Sequence, residues 1–194
     1  MGKVKLTGGE GKRRNLKVPK GIRPTRGIVK RSIFDTLRDE VQNSKVLEIF
    51  AGSGAVGFEA LSRGAEFCVF IEKSRDGVLS IVENAKSLGF SSRIKVIKGD
   101  FIRALNELVR EGMKFDLIFA DPPYDFQFHD EIFKRIVSLL VPMGVYIVEV
   151  RNKTQLPDNF QGLSKTKEAN FGQTKIVYYR MLPGDLRSDN SGPS

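Results

Sequence analysis

From residue 44 to residue 150 the chain repeats one pattern: a short apolar run, then a stretch with its apolar positions on one helical face. The runs are 46–50, 68–72, 94–97, 115–120 and 145–150, and the helices between them span about 55–63, 75–88, 101–111 and 129–140. Strands that alternate with helices build an α/β fold, because each helix carries the chain back across the sheet to start the next strand in the same direction. The strands read as almost continuous apolar residues, which predicts burial on both faces. The chain's end breaks the pattern. Residues 162–168 and 173–181 read as two strands without a helix between them, turning at Asn170 to Gly172, so a hairpin adds one antiparallel strand.

The segment before the alternation differs in kind. Residues 1–20 read as a short hairpin, with Val4 and Leu6 on one arm and Leu16 and Val18 on the other. Pro24 keeps its approach extended. A helix at about 26–40 has Ile28, Ile33, Phe34 and Leu37 as its apolar face. Residues 1–31 hold eleven Lys or Arg against one acid, Glu10, while the rest of the chain holds 21 basic and 22 acidic residues. A basic block beside a nearly neutral domain is the footprint of a polyanion partner, or else a solvated tail. The expected organisation is a basic, polyanion-binding extension over 1–40, an α/β domain over 41–182 and a disordered tail over 183–194, rich in Pro, Gly, Ser, Asp and Asn.

Other classes are disfavoured. The single cysteine, Cys68, forms no internal disulfide, which fits a cytoplasmic setting. No apolar stretch follows a basic start, and no window approaches the ~18 apolar residues of a membrane span. No Cys/His cluster has metal-ligand spacing, so no metal is expected. His129, the only histidine, reads as a surface residue at a helix start.

Ligands of open α/β sheets bind beyond the carboxyl ends of the strands, so those positions carry the functional reading. The first run leads into Phe50-Ala51-Gly52-Ser53-Gly54 and on to Gly57, a G-x-G-x-x-G pattern between a strand and a helix. The second ends in Glu72, followed by Lys73; an acid there can accept both ribose hydroxyls. The glycine pattern alone fits either NAD or S-adenosylmethionine. Glu48 favours the second, because a carboxylate beside the loop repels a pyrophosphate and attracts a sulfonium and an ammonium. The third run leads to Asp100 and Phe101, which either hold an adenine or simply cap and pack the following helix. The fourth delivers Asp121-Pro122-Pro123-Tyr124. Two prolines remove N–H donors, leaving acceptors that can hold the hydrogens of an exocyclic amine while Tyr124 stacks its base. Phe126 and Phe128 follow this loop, as pocket walls or as ordinary packing.

With Arg23-Pro24-Thr25 and the helix over 29–34 upstream, and Phe171-Gly172-Gln173-Thr174 downstream, the chain resembles the RsmD-type family of bacterial ribosomal RNA methyltransferases over about residues 3–181. That family methylates N2 of a guanine in 16S rRNA of the small subunit. The resemblance implies a Rossmann-like class I methyltransferase fold, with a seven-stranded, mostly parallel sheet and a small N-terminal hairpin. It also implies that the 23–25 stretch closes over the cofactor, with Thr25 as a contact and Arg23 reaching cofactor or RNA. The family often has Arg-Glu where this chain has Lys30-Arg31, which makes the helix more basic.

The expected site therefore has Asp121, Pro122, Pro123 and Tyr124 at the amine. Thr25, Glu48, Phe50, Ala51, Gly52, Ser53, Gly54, Glu72, Lys73, Asp100 and Phe101 hold S-adenosylmethionine, and Lys12, Arg13, Arg14, Arg23, Arg26 and Lys30 meet RNA. The expected substrate is 16S rRNA in a small-subunit particle, and the expected state is a monomer. Rival readings are an adenine-N6 or other amino-group methyltransferase, an NAD-dependent oxidoreductase, and a non-catalytic RNA-binding or ribosome-assembly protein.

Overall fold

The computed structural model describes residues 2–19, 21, 25–123 and 126–183. The expected disordered tail lies outside them except for its first residue. The chain opens with an antiparallel pair, β1 (Gly2–Lys5) and β2 (Asn15–Val18), and enters α1 (Gly27–Leu37), which ends in a short 3-10 turn over Arg38–Val41. The alternation follows: β3 (Lys45–Ile49), α2 (Ala55–Ser62), β4 (Phe67–Glu72), α3 (Arg75–Leu88), β5 (Ile94–Lys98), α4 (Phe101–Arg110), β6 (Phe115–Ala120), α5 (Asp130–Leu139) and β7 (Leu140–Arg151). The chain closes with β8 (Asn159–Phe160), β9 (Leu163–Phe171) and β10 (Thr174–Met181).

The main sheet has the order β5-β4-β3-β6-β7-β10-β9-β8. β5 to β7 are mutually parallel, and β10 runs antiparallel to both β7 and β9. This is the class I methyltransferase architecture, with eight strands where seven are expected; the extra one is the two-residue β8 at the edge. So short a strand carries no periodic signal in sequence.

Local chemistry sets the helix ends. The Ser74 hydroxyl accepts from the Gly77 amide at 3.0 Å to start α3, and Gly89, with φ 80°, ends it in the left-handed region. Side chains of the central strands are buried on both faces. One apolar cluster holds Phe34, Phe58, Leu61 and Ile81 from α1, α2 and α3; the other holds Leu105, Leu108, Phe133 and Ile136 from α4 and α5.

The N-terminal extension is part of the first cluster. Leu6, Leu16, Val29, Ile33, Phe34 and Leu37 pack with residues of the sheet. Backbone groups of the hairpin bond to helices: the Glu10 amide donates to the Ser62 carbonyl at 2.7 Å, and the Lys17 amide donates to Asn84 Oδ1 at 2.8 Å. Ile33, Phe34 and Leu37 of the expected α1 face are buried, but its first residue is not. Ile28 is 66% exposed, and Val29 takes its place at 0%. No helix among the described residues is long and apolar enough to cross a membrane.

Candidate active site

Strand register decides where the site forms. Ile49 on β3 pairs with Ile71 on β4 and with Ala120 on β6, and Ala120 pairs with Val148 on β7. Phe50, Glu72, Asp121 and Glu149 are the residues that follow these along the chain. They reach one level at the carboxyl edge of the sheet. The chain builds β4 and β5 on one side of β3, then β6 and β7 on the other. The crevice at such a reversal is where open α/β sheets bind ligands.

A cleft of about 610 Å³ opens there, lined by Thr25, Arg26, Phe50, Gly52, Glu72, Lys73, Asp100, Phe101, Asp121, Pro122, Pro123, Phe126 and Glu149 among others. Small-molecule sites usually have volumes of roughly 300–1,000 Å³. An inner chamber of about 90 Å³ is lined by Glu48, Ala51, Ser53 and Ile147, and shares Thr25, Phe50, Gly52, Asp121 and Glu149 with the cleft.

The loop from β3 to α2 is held from three sides. Phe50 adopts φ 60°, which costs a residue with a side chain on the order of 1 kcal/mol or more. Its ring packs against Phe101 at 4.8 Å and Phe126 at 5.3 Å between centroids, which over-determines the turn. The Gly52 amide donates to Glu72 Oε2 at 2.7 Å, and the Ser74 amide donates to Oε1 at 2.7 Å. A carboxylate has about four acceptor sites, so both oxygens retain capacity for hydroxyls. From below, Glu48 accepts from the Gly57 amide at 2.8 Å and the Val56 amide at 3.2 Å, pinning the first turn of α2.

Glu48 is buried. Burial pushes its carboxyl up to about 8; the Gly57 and Val56 amides and Lys30 pull it down, and Asp121 adds to the rise. Its observed contribution is therefore to anchor the loop through the Val56 and Gly57 amides.

Two residues depart from expectation. Gly54 is the N-cap of α2, and a side chain there would press on the Phe58 and Phe70 rings. It faces the core and lines neither cavity. Lys30, expected at the RNA surface, is fully buried. Its Nζ donates to the Lys5 carbonyl at 3.0 Å and to Glu59 Oε2 at 3.4 Å, while Arg63 and Thr7 also bind Glu59. The helical face that carries Lys30 turns inward, so this cation serves the core and cannot reach a phosphate.

Among the other candidates, Asp100 accepts from the Arg103 amide at 3.2 Å and also lines the cleft, so it caps α4 while facing the site. Lys12 and Arg13 are exposed on the hairpin loop. Arg14 donates to the Leu88 carbonyl at 3.1 Å and to that of Ser87, at the C-terminal end of α3. Arg26 lines the cleft and donates to the Phe171 carbonyl at 2.6 Å and to Thr174 Oγ1 at 3.3 Å. Arg23 and Tyr124 lie outside the described residues.

A family model described as "Conserved hypothetical protein 95" matches residues 4–180. "Ribosomal RNA small subunit methyltransferase D" of Haemophilus influenzae is 32% identical over 187 residues, covering 93% of each chain. The chain belongs to the RsmD family. The protein of the same name from Escherichia coli is 29% identical and covers 97% of this chain and 96% of its own. A solved Escherichia coli structure, provisionally described as a methyltransferase, superposes with a TM-score of 0.82 at 28% identity, covering 93% of this chain and 99% of that one. An RNA methyltransferase of Salinibacter ruber in complex with S-adenosyl-L-homocysteine shares the fold, with a TM-score of 0.63 at 15% identity.

The RsmD cleft fits the S-adenosylmethionine expected from sequence. Glu72 faces it as an acceptor for hydroxyls, and Phe50 and Phe101 offer ring faces. Ser53 Oγ is buried and finds no hydrogen-bond partner among the described residues, although Ser53 lines the inner chamber. Such an orphan hydroxyl suits the polar end of an amino acid. Sequence reasoning missed Glu149 as a site residue. The available signal was one acid near the end of an otherwise apolar run, the same signal that singled out Glu72.

Proposed function

We propose that this protein transfers a methyl group from S-adenosylmethionine to the exocyclic N2 amine of a guanine in 16S rRNA. The carrying observation is the register that sets the Asp121-Pro122-Pro123 loop beside the glycine loop at the reversal of strand order. Family membership makes the reaction an S-adenosylmethionine-dependent methylation of ribosomal RNA. When bound, the cofactor supplies an electrophilic methyl group on a sulfonium.

The protein's part is positional and electrostatic. The amine of guanine is a weak nucleophile, because its lone pair is delocalised into the ring. Asp121 and the Pro122 carbonyl accept its hydrogens, which turns the lone pair toward the methyl group and stabilises positive charge growing on nitrogen. Tyr124 stacks the base, a role assigned on sequence grounds. Glu72, Asp100, Phe101, Ser53 and the glycine loop hold the cofactor, Glu48 anchors that loop, and Lys12 and Arg13 engage RNA phosphates. Transfer is direct, with no covalent enzyme intermediate. The protein acts as a cytoplasmic monomer on a small-subunit particle.

The test is incubation with S-adenosylmethionine and unmodified small-subunit RNA, bare and in particles, followed by mass spectrometry of the nucleosides. N2-methylguanosine is the expected product, and N6-methyladenosine would overturn the choice of base. Asp121→Ala is expected to slow transfer at least ~100-fold while cofactor affinity changes only a few-fold. An Asp121→Ala protein of undiminished activity would remove Asp121 from the mechanism.

A further inference from the structure

Glu149 stands at the centre of the site without a role in the scheme above. It lines the cleft, the inner chamber and a third, smaller cavity behind Pro122 and Phe128, and Asp121 lines the same three. The pairing of Ala120 with Val148 brings Asp121 and Glu149 to neighbouring positions at the ends of adjacent strands. The two oxygens of Glu149 are held differently. Oε1 accepts from the Thr174 hydroxyl at 3.0 Å, and that hydroxyl in turn accepts from Arg26 Nη2 at 3.3 Å. Oε2 is buried and has no hydrogen-bond partner among the described residues. A buried carboxylate oxygen left unpaired is costly, and persists where a ligand supplies the missing donor.

We infer that Glu149 is the residue that selects guanine, its Oε2 accepting the N1–H of the target base while Asp121 holds the N2 amine. This rests on the guanine-N2 reading above. Guanine presents N1–H and N2–H as adjacent donors on one edge, and two adjacent carboxylates are the complementary pair of acceptors. Adenine presents a lone pair at N1, which would face the Glu149 oxygen and be repelled. Thr174 and Arg26 are positioning residues: they fix Oε1 so that Oε2 keeps one direction. This relay also explains why the 25–26 and 171–174 segments, far apart in sequence, meet at this edge of the cleft.

The base 2-aminopurine tests the idea, because it keeps the N2 amine and lacks the N1 hydrogen. Small-subunit particles are reconstituted on RNA carrying either guanine or 2-aminopurine at the methylated position. The wild-type protein is expected to methylate guanine at least ~100-fold faster, since a site built around a donor rejects the analogue without it. Glu149→Gln brings an amide N–H that can donate to the bare N1, so the preference shrinks at least ~10-fold. Thr174→Val, which removes only the hydroxyl holding Oε1, shifts the ratio in the same direction. Calorimetry is expected to show S-adenosylmethionine affinity within about threefold of wild type in both variants.

Equal wild-type rates on the two bases would overturn the proposal without touching the N2 reading, as would an unchanged ratio in Glu149→Gln. Cofactor affinity that falls in step with activity would reassign Glu149 to the cofactor and overturn it as well. If wild-type protein forms no N2-methylguanosine at all, the parent reading fails and takes this one with it.

Discussion

Glu48 and Lys30 show how burial changes what a charged residue does. Glu48 lies under the glycine loop with its carboxyl raised to about 8 by burial. A raised acid binds its proton more tightly in the folded state. Its contribution to stability is therefore fully present below the ordinary carboxylate range and is lost as pH rises through about 8. Thermal melts of the cofactor-free protein should fall more steeply between about pH 5 and 8 in wild type than in Glu48→Gln. Parallel curves would refute the shift. Lys30 is held below its ordinary range by burial, against the pull of Glu59. Glu59 sits below its own range despite burial, because Thr7, Arg63 and Lys30 stabilise its charge. Replacing Lys30 with Met keeps the stem and removes the cation, leaving Glu59 short of a partner. The expected loss is about 3 kcal/mol in urea unfolding, with no change in the salt dependence of RNA binding. A loss of RNA affinity without a loss of stability would return Lys30 to the surface role its sequence position suggested.

At the scale of elements, the hairpin and the glycine loop are joined through one helix. Asn84 on α3 accepts from the Lys17 amide at 2.8 Å and donates to the Lys17 carbonyl at 3.0 Å. The same amide group reaches the Ser53 carbonyl at 3.2 Å. Asn84 is 2% exposed, so water cannot readily replace these bonds. Asn84→Ala is expected to cost about 2 kcal/mol in stability, since it strands buried backbone groups. It should also weaken S-adenosylmethionine binding several-fold by freeing the loop around Ser53, and calorimetry reads that directly. Unchanged cofactor affinity would separate hairpin docking from the site. The elements were largely legible in sequence: the strands and helices of the alternation lie within a few residues of their expected places, except that β7 begins at Leu140 instead of 145. Where the reading failed, tertiary contact had overridden the local pattern. The α1 face was expected to include Ile28; instead Val29 and Lys30 are buried beside Ile33, Phe34 and Leu37, with Lys30 held by the Lys5 carbonyl of the hairpin and by Glu59 of α2.

For the whole molecule, the same packing revises the meaning of the charge. The formal charge is +9, and the excess sits in the first 31 residues. Lys30 is buried against Glu59, while the exposed Arg14 and Arg26 donate to carbonyls at the end of α3 and to Phe171 and Thr174. Lys12 and Arg13 remain exposed at the hairpin loop. If they meet phosphates, replacing both with Ala should lower the slope of log K against log salt by about 1.5. A slope unchanged by that double substitution would move the RNA surface elsewhere.

Sequence alone determined what depends on neighbours along the chain: the alternation of strand and helix, the glycine turn, the acid that ends the second strand of the alternation, and the donor-poor Asp121-Pro122-Pro123 loop. Each is a pattern within a few residues, and periodicity or backbone restriction makes it readable. Only the tertiary structure decided which strand ends stand level, that Glu149 lies beside Asp121, that Arg26 reaches Thr174 across 148 positions, and that Lys30 turns inward. Those contacts arise from sheet register and from which helix face is covered. Both are set when distant segments pack together, and no local pattern records them.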